Sequence, residues 1–129
     1  MRKILFRGKG NPKYNDGVWY EGYLTYDGEN YQIVEPEYGI CKRTVLAETI
    51  GEFTGLKNKN GNNIFEDDIV RSTETGEIGI VQWFEEHAAF MVWCPVPNRV
   101  GFLYECASII EIIGNIHDNR DILKEIKDD

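Results

Sequence analysis

The fold is decided by the stretch Glu52-Phe53-Thr54-Gly55-Leu56-Lys57-Asn58-Lys59-Asn60-Gly61-Asn62-Asn63-Ile64-Phe65-Glu66-Asp67-Asp68-Ile69-Val70. Apolar and β-branched residues stand at both of its ends, and a polar segment, residues 58–62, separates them. Asn and Gly accept positive φ angles, so this segment is typical of a tight turn. The stretch therefore predicts a β-hairpin between residues 50 and 70.

Short runs of β-branched and aromatic residues, broken by turn residues, continue on both sides of this hairpin. Asp27-Gly28 separates two such runs, which is a strong hairpin signal. Gly22 indicates a bulge or a bend inside the first run, and Pro95 ends a later run because proline cannot continue an interior strand. The strands predicted outside the hairpin are residues 3–7, 18–26, 31–34, 78–84, 89–93, 101–106 and 109–113.

Only the end of the chain has a helical pattern. Asp118 is suited to cap a helix whose apolar stripe is formed by Ile122, Leu123 and Ile126. Short strands separated by turns favour antiparallel sheets, and the order of the runs after residue 68 is similar to that of an SH3-like barrel. The predicted fold is mainly β, with antiparallel sheets of short strands, an SH3-like barrel in the C-terminal part and a short C-terminal helix.

A chain of 129 residues is expected to fold as one domain, residues 1–129. A loop marked by Pro36 and Gly39 leaves open a division into two subdomains. These would be an N-terminal β region, residues 1–50, and the barrel with its helix, residues 51–129.

The charge of the chain is acidic and unevenly distributed, with a net value of −8. Residues 1–43 contain seven Lys and Arg against six Asp and Glu, whereas residues 44–129 contain seven against sixteen. Sequence-independent binding to phosphate backbones needs clustered Lys and Arg, so nucleic acid is a disfavoured partner. The acidic part of the chain is compatible with solubility or with a basic partner.

The cysteines and the N-terminus indicate a reduced, cytoplasmic protein. Cys41, Cys94 and Cys106 are odd in number and widely spaced, so they predict neither a zinc knuckle nor a thioredoxin-like pair. The apolar run that begins at Ile4 is shorter than the roughly seven residues that a secretory signal needs. No run approaches the ~18 apolar residues of a membrane span, so no membrane partner is expected.

Several segments of the chain together carry a family resemblance. They are residues 6–9, Phe-Arg-Gly-Lys; residues 18–23, Val-Trp-Tyr-Glu-Gly-Tyr; residues 51–61 and 64–70, which form the hairpin; and residues 113–119, Ile-Gly-Asn-Ile-His-Asp-Asn. With these segments the chain resembles the YopX family of phage and prophage proteins. The resemblance implies a mostly β protein that associates with itself in the cytoplasm of a bacterial host, and it implies no activity or catalytic residue.

One position departs from the family pattern. The family has glycine where this chain has Asp67, which gives Glu-Asp-Asp in place of Glu-Gly-Asp. If that glycine has a positive φ, Asp67 must adopt the same strained conformation or shift the turn. Asp is among the few residues that accept a positive φ, so the turn is expected to persist.

The sequence predicts no catalytic residue, no metal site and no cofactor. Glu85-Glu86-His87 and Glu66-Asp67-Asp68 have the residue types of metal ligands, but neighbours on a strand point to opposite faces. Gly8-Lys9-Gly10-Asn11 lacks the length and context of a phosphate-binding loop. Solvated loops and turns are the favoured interpretation of these segments, and His117 is predicted to lie at the surface.

We predict a non-enzymatic protein-interaction module that forms homo-oligomers and binds a host or phage protein. Abundant aromatic residues favour this function, since SH3-like barrels present aromatic residues to peptides. The alternative is a small barrel that binds nucleic acid by stacking bases on exposed aromatic residues and through the hairpin with Lys57 and Lys59. A metal-dependent enzyme that uses the acidic segments is a third, less favoured one. The candidate interaction surface comprises Trp19, Tyr23, Lys57, Lys59, Trp83 and Trp93.

Overall fold

A computed structural model describes residues 2–14, 17–35 and 41–127. In these ranges the chain forms eleven β-strands and two α-helices, which confirms the predicted mainly β class. The strands are β1 (Phe6–Lys9), β2 (Trp19–Tyr26), β3 (Tyr31–Glu35), β4 (Cys41–Thr44), β5 (Gly51–Lys57), β6 (Asn63–Phe65), β7 (Asp68–Ser72), β8 (Ile78–Phe84), β9 (Ala89–Cys94), β10 (Arg99–Phe102) and β11 (Ile110–Asn115). The helices are α1 (Leu103–Cys106) and α2 (Arg120–Lys127).

The strands form two antiparallel sheets. One has the order β4-β3-β2-β1-β5-β6 and the other has the order β10-β9-β8-β7-β11. Neither sheet closes into a barrel within the described ranges, so the predicted SH3-like barrel is not confirmed. In the second sheet, residues 103–109 lead from one edge strand, β10, across a face of the sheet to the opposite edge, β11. The two edge strands do not pair with each other within the described ranges.

The chain divides into two compact units, Met1–Phe53 and Thr54–Asp129. In the first unit, Ile33, Val45 and Phe53 are the buried apolar side chains. Gly22 lies on β2 in regular register with β1, so close approach of the backbone, and not the predicted bulge, explains the glycine. A Cβ atom at this position would lie 2.2 Å from the carbonyl oxygen of Val34.

The core of the second unit lies on one face of the five-stranded sheet. Every second residue of each strand points to this face, because side chains alternate along a strand. Residues 103–109 cover the face. Leu103 and Ala107 are four positions apart, which places them on one side of a helical turn. The buried cluster consists of Ile64, Val70, Val81, Val92, Leu103, Ala107 and Ile110.

Three predicted elements need correction. The strand predicted over residues 3–7 instead spans Phe6–Lys9. The strand predicted over residues 101–106 ends at Phe102, because the chain turns into α1 to bury Leu103 against the sheet. The second arm of the predicted hairpin is interrupted at residues 66 and 67, between β6 and β7. The polar strand β4 had no apolar pattern that would predict it. The C-terminal helix is confirmed, and no helix among the described residues has the length and apolar character needed to cross a membrane.

Candidate functional site

The residues predicted as an interaction surface fall in both units. Trp19 and Tyr23 lie on β2 of the first unit, where the guanidinium carbon of Arg7 lies 5.0 Å from the centre of the Trp19 ring. Tyr23 is exposed, whereas Trp19 is half-buried. The two side chains share one face of β2 because they are four positions apart, and an even spacing along a strand keeps the same face.

The two predicted lysines, Lys57 and Lys59, are exposed at the tip of the hairpin between β5 and β6. Asn58 organises this tip, since its Oδ1 accepts hydrogen bonds from the backbone N–H groups of Asn60 and Asn62, each at 3.0 Å. The tight turn predicted from the Asn and Gly residues is confirmed.

The two tryptophans of the second unit lie on opposite faces of its sheet. In the β8–β9 register, Trp83 is opposite Phe90 and Trp93 is opposite Ile80. Ile80 and Trp83 are three positions apart on β8. Odd spacing along a strand reverses the face. The Trp93 indole N–H donates a hydrogen bond to Oδ1 of Asn98 at 2.9 Å, so Trp93 is held by its own turn.

Trp83 belongs to a group of aromatic residues at one end of the five-stranded sheet. Its ring meets Phe90 edge to face, with centroids 5.1 Å apart. His87 and Phe102 have centroids 5.6 Å apart, and Phe102 and Tyr104 have centroids 5.3 Å apart. The two groups lie at the same end of the sheet, where β8 ends, β9 begins and β10 ends. Phe90 is opposite Trp83 and Phe102 is opposite Met91, so Phe90 and Phe102 point to different faces of the sheet. We call Trp83, His87, Phe90, Phe102 and Tyr104 the aromatic end.

The aromatic end is accessible to a partner. Trp83 is 44% exposed and Tyr104 is 65% exposed, although both are large apolar rings. Phe90 contacts Trp83 and Phe102 contacts Tyr104, and both phenylalanine side chains are half-buried. Single exposed apolar residues are common on protein surfaces, whereas several exposed aromatic residues at one end of a sheet favour an interaction site.

Acidic side chains surround the aromatic end. Glu85 and Glu86 are exposed in the 3₁₀ turn between β8 and β9, and Glu105 is exposed on α1. Residues 72–119 contain seven Asp and Glu but a single Lys or Arg, Arg99. Arg99 forms an ion pair with Glu77, at the other end of β10 from Phe102. The part of the chain that contains the aromatic end therefore carries a net negative charge.

The acidic segments predicted as possible metal ligands are not assembled into a site. Asp68 is 1% exposed, and its Oδ2 accepts a hydrogen bond from the backbone N–H of Phe65 at 2.8 Å. Oδ2 of Asp67 instead lies 3.1 Å from Nε2 of His117. The neighbouring carboxylates thus turn to different partners. Within the described ranges, no three His, Cys, Asp or Glu residues are placed to hold a metal ion.

The contact between Asp67 and His117 is the feature that sequence reasoning missed. Asp67 has a φ angle of 76°, so it adopts the left-handed conformation that glycine favours and the turn persists as predicted. Its N–H donates to the carbonyl of Val81, and its own carbonyl accepts from the N–H of Ile116. The surface position predicted for His117 is wrong, since its side chain is only 16% exposed. Fifty positions separate the two residues, so no local pattern could have paired them.

The comparisons with known proteins give one family. A family model described as YopX protein matches residues 6–124, which is nearly the whole chain, and this confirms the resemblance found in the sequence. No curated protein matches the chain.

Proposed function

The chain belongs to the YopX family, and we propose that it is a non-enzymatic protein-interaction module of a phage or prophage. In this proposal the aromatic end binds a basic segment of a partner protein. The family itself supplies no chemistry, so the proposal depends on the residues of the second unit.

The observation that carries the proposal is the exposed Trp83 ring on its Phe90 support. An aromatic side chain buries about 150–250 Å² when it is covered, so leaving this ring in water forgoes a large stabilisation. Trp and Tyr are also the residues most enriched among those that dominate binding energy at interfaces. Trp83 and Tyr104 are exposed rings that each contact a half-buried phenylalanine. They have the composition and rigidity of such an interface.

The charge around the aromatic end selects the partner. Glu85, Glu86 and Glu105 attract Lys and Arg side chains, and no basic residue near the aromatic end competes for them in the sequence from 72 to 98. The exposed indole face of Trp83 adds cation–π attraction, which is strongest for tryptophan. A Lys- and Arg-rich segment therefore fits this surface better than an acidic one.

Peptide binding to single variants tests this function. We expect a fluorescent Lys/Arg-rich peptide to bind the full chain, and Trp83→Ala to weaken binding by about 30-fold, or ~2 kcal/mol. Glu85→Gln together with Glu86→Gln should weaken binding at low salt and flatten its salt dependence, because it removes screened long-range attraction. The control Tyr14→Ala removes a tyrosine of the first unit that is 56% exposed, and it should leave the affinity unchanged.

Two results would contradict the proposal. One is an affinity of Trp83→Ala equal to that of the original chain, in a variant that thermal unfolding shows to be folded. The other is equal binding of an acidic peptide of the same length. Single-stranded DNA and RNA serve as competitors in the same assay, and displacement of the peptide by either at physiological salt would favour the nucleic-acid alternative.

Self-association, the other part of the proposed function, is supported by the edge strand β10. This strand pairs with β9 on one side and is the last strand of its sheet. Val100 on β10 and Val96 just before it are exposed. A short exposed edge with apolar side chains is a template for pairing with a second chain. We expect light scattering to show a defined oligomer that Val100→Lys converts to monomer; a monomeric original chain at all concentrations would contradict this.

A further inference from the structure

A second feature of the same sheet lies away from the aromatic end. At the other end of its core face, β7, β8, β9 and β10 and the residues that follow α1 line a cavity of about 230 Å³. The cavity is open to solvent at β10, where Arg99, Val100 and Gly101 are exposed. Its apolar walls include Val70, Val92, Ile109 and Ile110, and Cys94 and Cys106 also line it. For comparison, an apolar protein cavity of about 150 Å³ is large enough to bind benzene.

Gly101, which lines this cavity from β10, is glycine for no structural reason visible in its surroundings. A Cβ atom at position 101 would meet no atom within 4 Å. Gly101 is also absent from the residues with positive φ, so the backbone does not require glycine. Glycine inside a strand weakens it by roughly 0.5–1 kcal/mol relative to alanine. Such a glycine often marks a place where a ligand approaches the backbone.

Gly79 shows the contrast on the neighbouring wall. A Cβ atom there would lie 2.4 Å from Cγ1 of Val92 and 3.1 Å from Sγ of Cys94. Packing of the protein itself therefore explains Gly79, whereas only open space lies next to Gly101.

The lining of the cavity carries no net charge. Its ionic residues are Glu77 and Arg99, which bind each other. Burial raises the pKa of the Cys94 thiol and that of the Cys106 thiol, so both remain neutral at physiological pH. A charged ligand would have to break the ion pair or enter apolar surroundings without a counter-charge.

From the volume, the apolar walls and the unexplained glycine, we propose that this cavity binds a small uncharged ligand. The ligand is the size of one aromatic ring or of a short aliphatic chain, and it enters beside the Glu77–Arg99 pair. This inference does not depend on the proposed binding of a basic segment, which uses residues at the opposite end of the sheet; the proposed self-association does use Val100, which also lines the cavity.

Binding of matched probes to the full chain tests the ligand class. Phenol and indole represent the neutral ligand, and benzoate and benzylamine are charged compounds of similar size. We expect calorimetry or ligand-detected NMR to give dissociation constants of about 1 mM or tighter for the neutral probes, and at least about tenfold weaker binding for the charged ones. No binding of either neutral probe, or equal binding of all four, would overturn the proposal.

Substitutions at Gly101 test the location. Gly101→Leu should fill the cavity and weaken binding of the neutral probes at least about tenfold, while Gly101→Ala leaves most of the space and retains binding. Undiminished binding to a folded Gly101→Leu variant would show that the probes bind elsewhere. If that variant does not fold, labelling of Cys94 by N-ethylmaleimide in the original chain decides: protection by phenol supports the site, and unchanged labelling contradicts it.

Discussion

Replacing Gly22 with alanine is expected to lower the free energy of unfolding of the first unit by about 3 kcal/mol. The added Cβ would lie 2.2 Å from the carbonyl oxygen of Val34 and 3.2 Å from Cγ2 of Ile33. A backbone oxygen cannot rotate away as a side chain can, so β2 and β3 must separate or twist. Because Ile33 is fully buried, that movement also opens the core of the first unit.

The control for this prediction is the same chemical change at an unhindered strand position. Gly101→Ala adds an identical methyl group on β10 into open space, so it should raise stability by about 0.5–1 kcal/mol. Chemical denaturation of both variants, with hydrogen exchange to locate the loss, compares them directly. Equal stability changes for the two substitutions would show that β2 and β3 do not approach as described.

Replacing Asp68 with alanine is expected to cost about 3 kcal/mol in the second unit. Its carboxylate is buried and accepts the hydrogen bond from the N–H of Phe65, which closes the turn between β6 and β7. Without that acceptor, a buried donor loses its partner and the space of the side chain is left empty. The turn would then lose the contact that fixes its geometry.

Asp68→Asn is the matched variant for this position. Its amide oxygen can still accept from the N–H of Phe65, so most of the stability should remain if that hydrogen bond is the main contribution. Denaturant unfolding of Asp68→Ala and Asp68→Asn gives the comparison. Losses of the same size in both variants would indicate that the negative charge, and not the hydrogen bond, is what the turn requires.

The sequence predicted those parts of the fold that depend on local chemistry. The Asn- and Gly-rich tip after Lys57, the Asp27-Gly28 hairpin and the amphipathic tail all follow from residues close together in the chain. Elements that depend on distant contacts were missed. Leu103 lies in a helix because it is buried against a sheet whose strands are distant from it in the sequence. The segment β4 is a strand because β3 supplies its hydrogen bonds.

The candidate sites were less predictable than the fold, for a related reason. Trp83 and Trp93 lie in similar apolar runs of the sequence. Only the register of β8 with β9 shows that they point to opposite faces of the sheet. Gly101 has no side chain, and the space beside it is empty. That space can be recognised only when the residues that surround β10 in the fold are known. A pattern of residue types contains neither piece of information.

The central claim is that the aromatic end binds a basic segment. The most direct test is a titration of the full chain with a Lys/Arg-rich peptide, followed by NMR at low and at physiological salt. We predict the largest shift changes at the Trp83 indole, at the backbone amides of residues 83–90 and at those of residues 102–105, with weaker binding at the higher salt. Changes centred elsewhere, or none at millimolar peptide, would contradict the account.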